Sequence, residues 1–362
     1  MDSSFSQKNK QVAKYKKNIY IYISMCYYES PNKIYCIFIA FNRNVKRNTL
    51  TQFPIGINKM NYSPTALLKR IRDSKKINDI PKRLGIGIVN HSPHENIFHC
   101  CVQKTASQWF LNIFNDDIFY QYTGLLTQLY FKVGLRQDSY EAIPLRSVAT
   151  PLYIAYSDYL AMPKPKRYRA FFVTRDPRDL AISFYFSTKY SHDLIAYIPK
   201  MRKELEALNM KDGLKYAINA LEEIGVFEAQ RSWANVDDEQ HKIFRYEDLA
   251  NDNRTFLKQL LSYLDVKVSA EKFDVLYNKH SFESHTKGRS QGEEDISSHY
   301  RRGISGEWKE YFDKDVMKHF KSVTGDLLEV LGYAEEPLVK YQSTQPTAKT
   351  KTNHHDLEHA IT

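Results

Sequence analysis

Arg169 to Tyr190 reads RAFFVTRDPRDLAISFYFSTKY. Ala170 to Val173 form an apolar run short enough for a buried strand, and a helix-like run opens at Pro177, whose fixed φ suits a first helical position. Strand, polar turn and helix start, in that order, predict an α/β unit. In open α/β sheets the carboxyl ends of the strands border the ligand crevice, and helix N-termini there offer free N–H groups to anions. Arg175 falls at that edge. Ser183, eight residues on, lies about two turns into the helix, so a guanidinium and a hydroxyl can meet one phosphate group. The plainer alternative is an arginine held at a strand end by Asp176 or Asp179.

Working outward, Ile97 to Phe110 reads IFHCCVQKTASQWF: a second strand-like run, a polar turn with Lys104, and a helix predicted from Ser107 to Phe119 that buries Trp109 and Phe110. With RDPRD and the Arg175 to Ser183 spacing, this resembles the sulfotransferases that use 3′-phosphoadenosine 5′-phosphosulfate. The resemblance implies a three-layer fold, with a central, mostly parallel sheet flanked by helices, like that of P-loop nucleotide hydrolases. In that family a PKTGTTW loop holds the 5′-phosphosulfate and the second strand and helix hold the 3′-phosphate. Carried over, Lys104, Thr105, Ala106, Ser107, Gln108 and Trp109 form the sulfate-side loop, and Arg175 and Ser183 the 3′-phosphate pair. A Walker phosphate loop places its lysine after a glycine-rich run. No glycine precedes Lys104 in this turn, which argues against an ordinary ATP or GTP kinase. Departures from the family form include Ala106, where glycine is usual, and Gln108, where threonine is usual. If position 106 needs a positive φ, alanine costs about 1 kcal/mol there.

Three later stretches extend the resemblance. RYEDL at Arg245 to Leu249 looks like the family's YED element and makes Tyr246 a cofactor-binding candidate. His280, Ser281 and Phe282 resemble the element that sets an aromatic ring near the adenine, with ordinary core as the alternative for Phe282. YRRGISGEWKEYF, Tyr300 to Phe312, resembles RKGxxGDWK with Arg302 for lysine and Glu307 for aspartate. There Arg301, Arg302 and Gly303 are expected to close on the 3′-phosphate. Glu283 to His299 is polar, carries Gly288 and Gly292, and reads as a mobile loop or lid.

The chemistry implied is in-line sulfuryl transfer to a hydroxyl or amine of a small-molecule or carbohydrate acceptor, with no metal. Lys104 is the expected catalytic cation. In cytosolic relatives a histidine upstream of the arginine motif serves as base, but here that region reads YIAYSDY. Asp158 is the first candidate in its place, with Glu141 and His192 as alternatives. A small-molecule P-loop kinase and a catalytically weak nucleotide-binding module are the competing functions.

The 362 residues carry a formal charge of +10, unevenly spread. Residues 1–59 hold ten Lys or Arg against two acidic residues, leaving 42 against 40 for the rest. The near-neutral body argues against a nucleic-acid partner. The aromatic run near Tyr20 is interrupted by Glu29, Pro31, Asn32 and Lys33, too soon for a membrane span of about 20 apolar residues. The division expected is a basic, aromatic extension over 1–59, a sulfotransferase domain over 60–336, and a disordered polar tail over 337–362. A helix over Asn61 to Ile71, capped at Ser63, marks Met60 as a workable start. Four cysteines without disulfide or metal spacing point to a reducing, cytoplasmic setting, with a membrane-anchored form as the alternative.

Overall fold

In the computed structural model the described residues are 20–30, 33–42, 82, 85–129, 142–193, 198–236 and 238–333. The chain divides into two units, Met1–Asp73 and Ser74–Thr362. In the first, β1 (Tyr20–Ser30) and β2 (Lys33–Asn42) pair antiparallel. Among the described residues no helix is long and apolar enough to cross a membrane.

The second unit is built on five parallel strands in the order β4-β5-β3-β6-β7. These are β3 (Asn96–Cys101), β4 (Leu126–Leu129), β5 (Ser147–Tyr153), β6 (Tyr168–Thr174) and β7 (His241–Arg245). β3 is buried along its whole length, as an inner parallel strand covered on both faces must be. From β3 the chain leaves toward the β4 edge, whereas from β6 it leaves toward β7. The two neighbouring strands therefore send their carboxyl ends apart, which opens a crevice between them.

Side-chain alternation along the strands builds two cores, one on each face. Phe98, Cys100, Leu152, Ala170 and Phe172 face one layer. Its helices are α3 (Tyr156–Ala161), α4 (Pro177–Phe186), α5 (Ile198–Ala207), α6 (Met210–Glu223), α7 (Val226–Trp233) and, past α12 (Trp308–Tyr311), α13 (Lys314–Thr324) and α14 (Leu327–Val330). Ile97, Cys101, Val148, Phe171, Val173 and Phe244 face the other. That layer holds α1 (Ser107–Asn115), α2 (Asp117–Thr123), α8 (Tyr246–Asn251), α9 (Asn253–Tyr263) and α10 (Ala270–Lys279), which leads to the single turn α11 (Phe282–His285). The expected three-layer α/β fold is present, with every described strand of the central sheet parallel. Both adjacent cysteines, Cys100 and Cys101, are buried free thiols.

Local boundaries differ from the sequence reading where tertiary contacts intervene. The first long helix breaks at Asp116, whose carboxylate caps α2 through the amide of Ile118 and also binds Nε2 of His280 at 2.9 Å. Gly213, a residue type that commonly ends a helix, lies inside the first turn of α6, where a Cβ would stand 2.5 Å from the Tyr185 ring. The actual break is Gly225, at φ 81°. The final helix is interrupted at Gly325, and α4 ends at Phe186 in a π-helical turn over Ser187–Ser191. The helix expected over Asn61 to Ile71 and the tail over 337–362 lie outside the described residues.

Trp233 anchors the α7 side of the core. It is fully buried, stacks on Phe172 at 5.1 Å between ring centroids, and donates its indole N–H to the Ile154 carbonyl at 3.0 Å. Trp233→Ala is expected to lower the unfolding free energy by about 3–5 kcal/mol, read from urea denaturation; a loss below about 1 kcal/mol would contradict this packing.

Candidate active site

The carboxyl ends of β3 and β6 open into a cavity of about 230 Å³. From β3 the chain passes through Val102 and Gln103 into the Lys104 turn, where Lys104 and Ala106 adopt left-handed φ values of 68° and 61°. Ala106 is thus a residue at which glycine would be easier. Two such residues so close turn the backbone sharply and start α1 directly behind the turn. Thr105 is buried and donates its hydroxyl to the Val102 carbonyl at 2.7 Å, which ties the turn to the strand it leaves. Ser107 meets the Tyr153 hydroxyl at 3.1 Å. Lys104, Ala106, Ser107, Gln108 and Trp109 all border the cavity. Trp109 is nonetheless buried, with its indole N–H on the His280 carbonyl at 2.8 Å. Burial and the guanidinium charges of Arg175 and Arg301 pull the Lys104 amine down to about 7.

Arg175, at the end of β6, is only 4 % exposed. Its Nη1 donates to the Lys104 carbonyl at 2.9 Å, and its guanidinium lies 3.9 Å from the centre of the Tyr246 ring. Its backbone N–H is held by Gln230 Oε1 at 3.0 Å, an acceptor shared with the Thr174 hydroxyl. Neither Asp176 nor Asp179 captures it. Asp176 pairs with Arg178 at 2.6 Å and caps α4. Asp179 accepts the amides of Gly306 and Trp308 at 2.5 and 2.8 Å, binding α4 to the GEW turn, and its burial pushes its carboxyl up to about 6. Arg175 Nε has no hydrogen-bond partner among the described residues. Ser183, on α4, lines the same cavity, so the spacing read from the sequence does bring both groups to one space.

The third wall comes from Arg301, Arg302 and Gly303. Arg301 Nη2 contacts both oxygens of Glu307 at 2.6 Å, Nη1 is bonded to Glu294, and its guanidinium lies over Phe186. Arg302 reaches Glu307 at 3.1 Å and Glu310 at 2.9 Å, while its buried Nε is unpartnered among the described residues. Gly303, at φ 69°, passes so close under Phe282 that a Cβ would stand 2.4 Å from its ring. Phe282 therefore lines the cavity rather than filling either core, and Tyr246 borders the same space.

The expected bases fare differently. Asp158 does not line the cavity: α3 starts at Tyr156, whose amide is held by Ser232 at 2.9 Å and whose ring packs on Trp233, so this turn is committed to α7. Tyr153, at the strand end itself, faces the cavity instead. Glu141 lies outside the described residues. His192 lines the cavity, and so does His299, which sequence reasoning passed over. The signal available was adjacency, since His299 stands two residues before the arginine pair. Among the described residues no cluster of His, Cys, Asp and Glu has the makings of a metal site.

The sulfotransferase domain family model matches residues 148–332, just over half of the chain. The match leaves out β3 and the Lys104 turn, which the sheet supplies, because β3 pairs with both β5 and β6. No curated protein matches the chain. Solved structures similar to it include the mouse sulfotransferase SULT7A1 complexed with PAP, at 17 % identity and TM-score 0.46, covering 70 % of this chain and 94 % of that one. A retinol dehydratase in complex with retinol and PAP is 17 % identical at TM-score 0.42, with 69 % and 86 % covered.

The left-handed backbone at position 106 yields a direct test. Ala106→Gly relieves the steric cost of a Cβ at φ 61°, offset by the greater freedom of glycine in the unfolded chain. The variant is expected to be stabilised by a few tenths to about 1 kcal/mol in denaturant titration. A marked destabilisation would mean that the turn adopts a different conformation.

Proposed function

The chain belongs to the sulfotransferase domain family, and we propose that it moves a sulfuryl group from 3′-phosphoadenosine 5′-phosphosulfate to a hydroxyl or amine of a small-molecule or carbohydrate acceptor. The observation that carries this reading is the convergence of three separate cationic elements on one cavity: Lys104 after β3, Arg175 after β6, and the Arg301–Arg302 pair. Two of those guanidiniums keep a buried Nε without a partner among the described residues, a state that costs energy unless an anion is to be met. A donor with charged groups at two ends fits such a cavity better than a single phosphate would.

The donor supplies the sulfuryl group and an anionic leaving group. In this reading the Lys104 turn holds its sulfate end, and Arg175, Ser183, Arg301, Arg302 and the Gly303 backbone hold the ribose phosphate. Phe282 offers its face to the adenine, and Tyr246 supports Arg175 from beneath. Lys104 stabilises the charge that builds on the leaving oxygen, a contribution worth about 3 kcal/mol in comparable sites. The remote phosphate contacts orient the donor and convert binding energy into alignment for in-line attack.

The depressed Lys104 amine makes this reading testable. Free protein holds this group near half-protonated at pH 7, and an anion beside it favours the charged form, so donor binding raises its pKa. Binding above pH 7 therefore takes up a proton, and affinity falls by up to about tenfold per pH unit as pH rises through 8. Calorimetry with 3′-phosphoadenosine 5′-phosphate at pH 8, in buffers of different ionisation enthalpy, should register uptake of close to one proton. Lys104→Met should abolish most of that uptake. A protein that binds neither this nucleotide nor the donor would overturn the assignment.

A further inference from the structure

Resting on the sulfotransferase reading, we propose that His299 is the general base of the reaction, taking the acceptor's proton from the loop that precedes the arginine pair rather than from the end of a central strand. It lines the same cavity as Lys104, where the sulfate end of the donor is expected. Its ring makes no hydrogen bond or ion pair among the described residues, so a ring nitrogen is available to accept. A base must be both within reach and held in place.

The loop supplies the holding. Arg289 donates to the carbonyl of Glu293 at 2.6 Å and to those of Tyr300 and Arg301, and Gly292 and Asp295 donate their amides to the carbonyls of Arg302 and Arg301 at 2.8 and 3.1 Å. Asp295 also closes a turn with Ser297 and Ser298, directly before His299. On the other side Tyr300 stacks on His285 at 4.8 Å with an interplanar angle of 4°. Flanked by a closed turn and a stacked ring, His299 projects from backbone whose path is set by bonds to the site arginines themselves.

The groups facing His299 are Lys104, His192 and Asp193. His299 is an exposed residue whose ring borders the cavity; partial desolvation there, then the charges of Lys104 and His192, lower its pKa from the ordinary histidine value, against the opposing charge of Asp193. These neighbours favour the neutral imidazole, the form that can receive a proton. His192 stands 6.1 Å away, ring centre to ring centre, with its Nδ1 turned to the Asp193 carbonyl at 3.1 Å and its own carbonyl held by Arg202 at 2.6 Å.

In the step itself the acceptor oxygen forms a bond to sulfur as the bond from sulfur to the donor's phosphate oxygen breaks. That electron pair leaves with the nucleotide, and the acceptor's proton passes to the free ring nitrogen of His299, which becomes an imidazolium. No oxidant or metal is needed for the balance.

The test uses full-length wild-type, His299→Gln, His299→Gly and His192→Gln proteins. Affinity for 3′-phosphoadenosine 5′-phosphate is measured by calorimetry. Turnover is then followed from pH 5.5 to 9 with sulfur-labelled donor over a pool of phenol, alcohol, amine and sugar acceptors. His299→Gln is expected to bind the nucleotide within about threefold of wild type, to lose roughly 10²- to 10⁴-fold in kcat, and to lose the acidic limb of the pH profile. Added imidazole should restore part of the turnover of His299→Gly, while His192→Gln keeps the acidic limb. A His299→Gln kcat within about threefold of wild type, loss of the limb in His192→Gln instead, or a wild-type protein that binds the nucleotide but transfers to no acceptor would each overturn the proposal. Absence of nucleotide binding by the wild type would fall on the sulfotransferase reading instead.

Discussion

The hydrogen bond from Arg175 to the Lys104 carbonyl joins the two turns on which the site is built. It connects the carboxyl ends of β3 and β6 at the place where the chain departs in opposite directions. A guanidinium that is 4 % exposed cannot be left without company, and here it is shared among a peptide carbonyl, the face of Tyr246 and the surrounding carboxylates. Gln230 and Glu247 steady the backbone on either side of it, through the amides of Arg175 and Asp176. The geometry of the crevice thus depends on a charge whose neighbours come from four separate parts of the chain.

Concentrating cations in one cavity has an electrostatic cost, and the molecule meets it in two ways. Lys104 is eased toward its neutral form, while Arg301 and Arg302 lean on Glu307, which is itself only 3 % exposed, and on Glu294 and Glu310. Glu307 stands where the family pattern has aspartate. Its oxygens touch both arginines, so one carboxylate sets the spacing of two guanidinium groups. An incoming phosphate would meet donors that are already separated and aimed, rather than two long side chains sampling solvent.

Much of this was legible in the chain itself. The Lys104 turn and the Arg175 edge can be read because short apolar runs, a proline at a helix start and fixed spacings are local signals, and parallel strands bring such turns to one end of a sheet. The family resemblance rested on those same local signals. What depended on distant partners could not be read. Gly213 looks like a helix stop, but it is the contact that lets Tyr185 pack against α6. Asp158 looks like a carboxylate at a strand end, yet the Tyr156 turn is claimed by Trp233 and Ser232. His299 belongs to a polar stretch without periodicity, where only the hydrogen bonds of the folded loop determine which residue meets the cavity.

The near-contact of Phe282 with Gly303 joins two walls mechanically. The ring lies against bare backbone between the arginine pair and the GEW turn, with no side chain in between to absorb a displacement. Any residue larger than glycine at position 303 would force that ring away from the backbone. The aromatic and cationic walls of the cavity thus meet here edge to edge, over the thickness of one van der Waals contact.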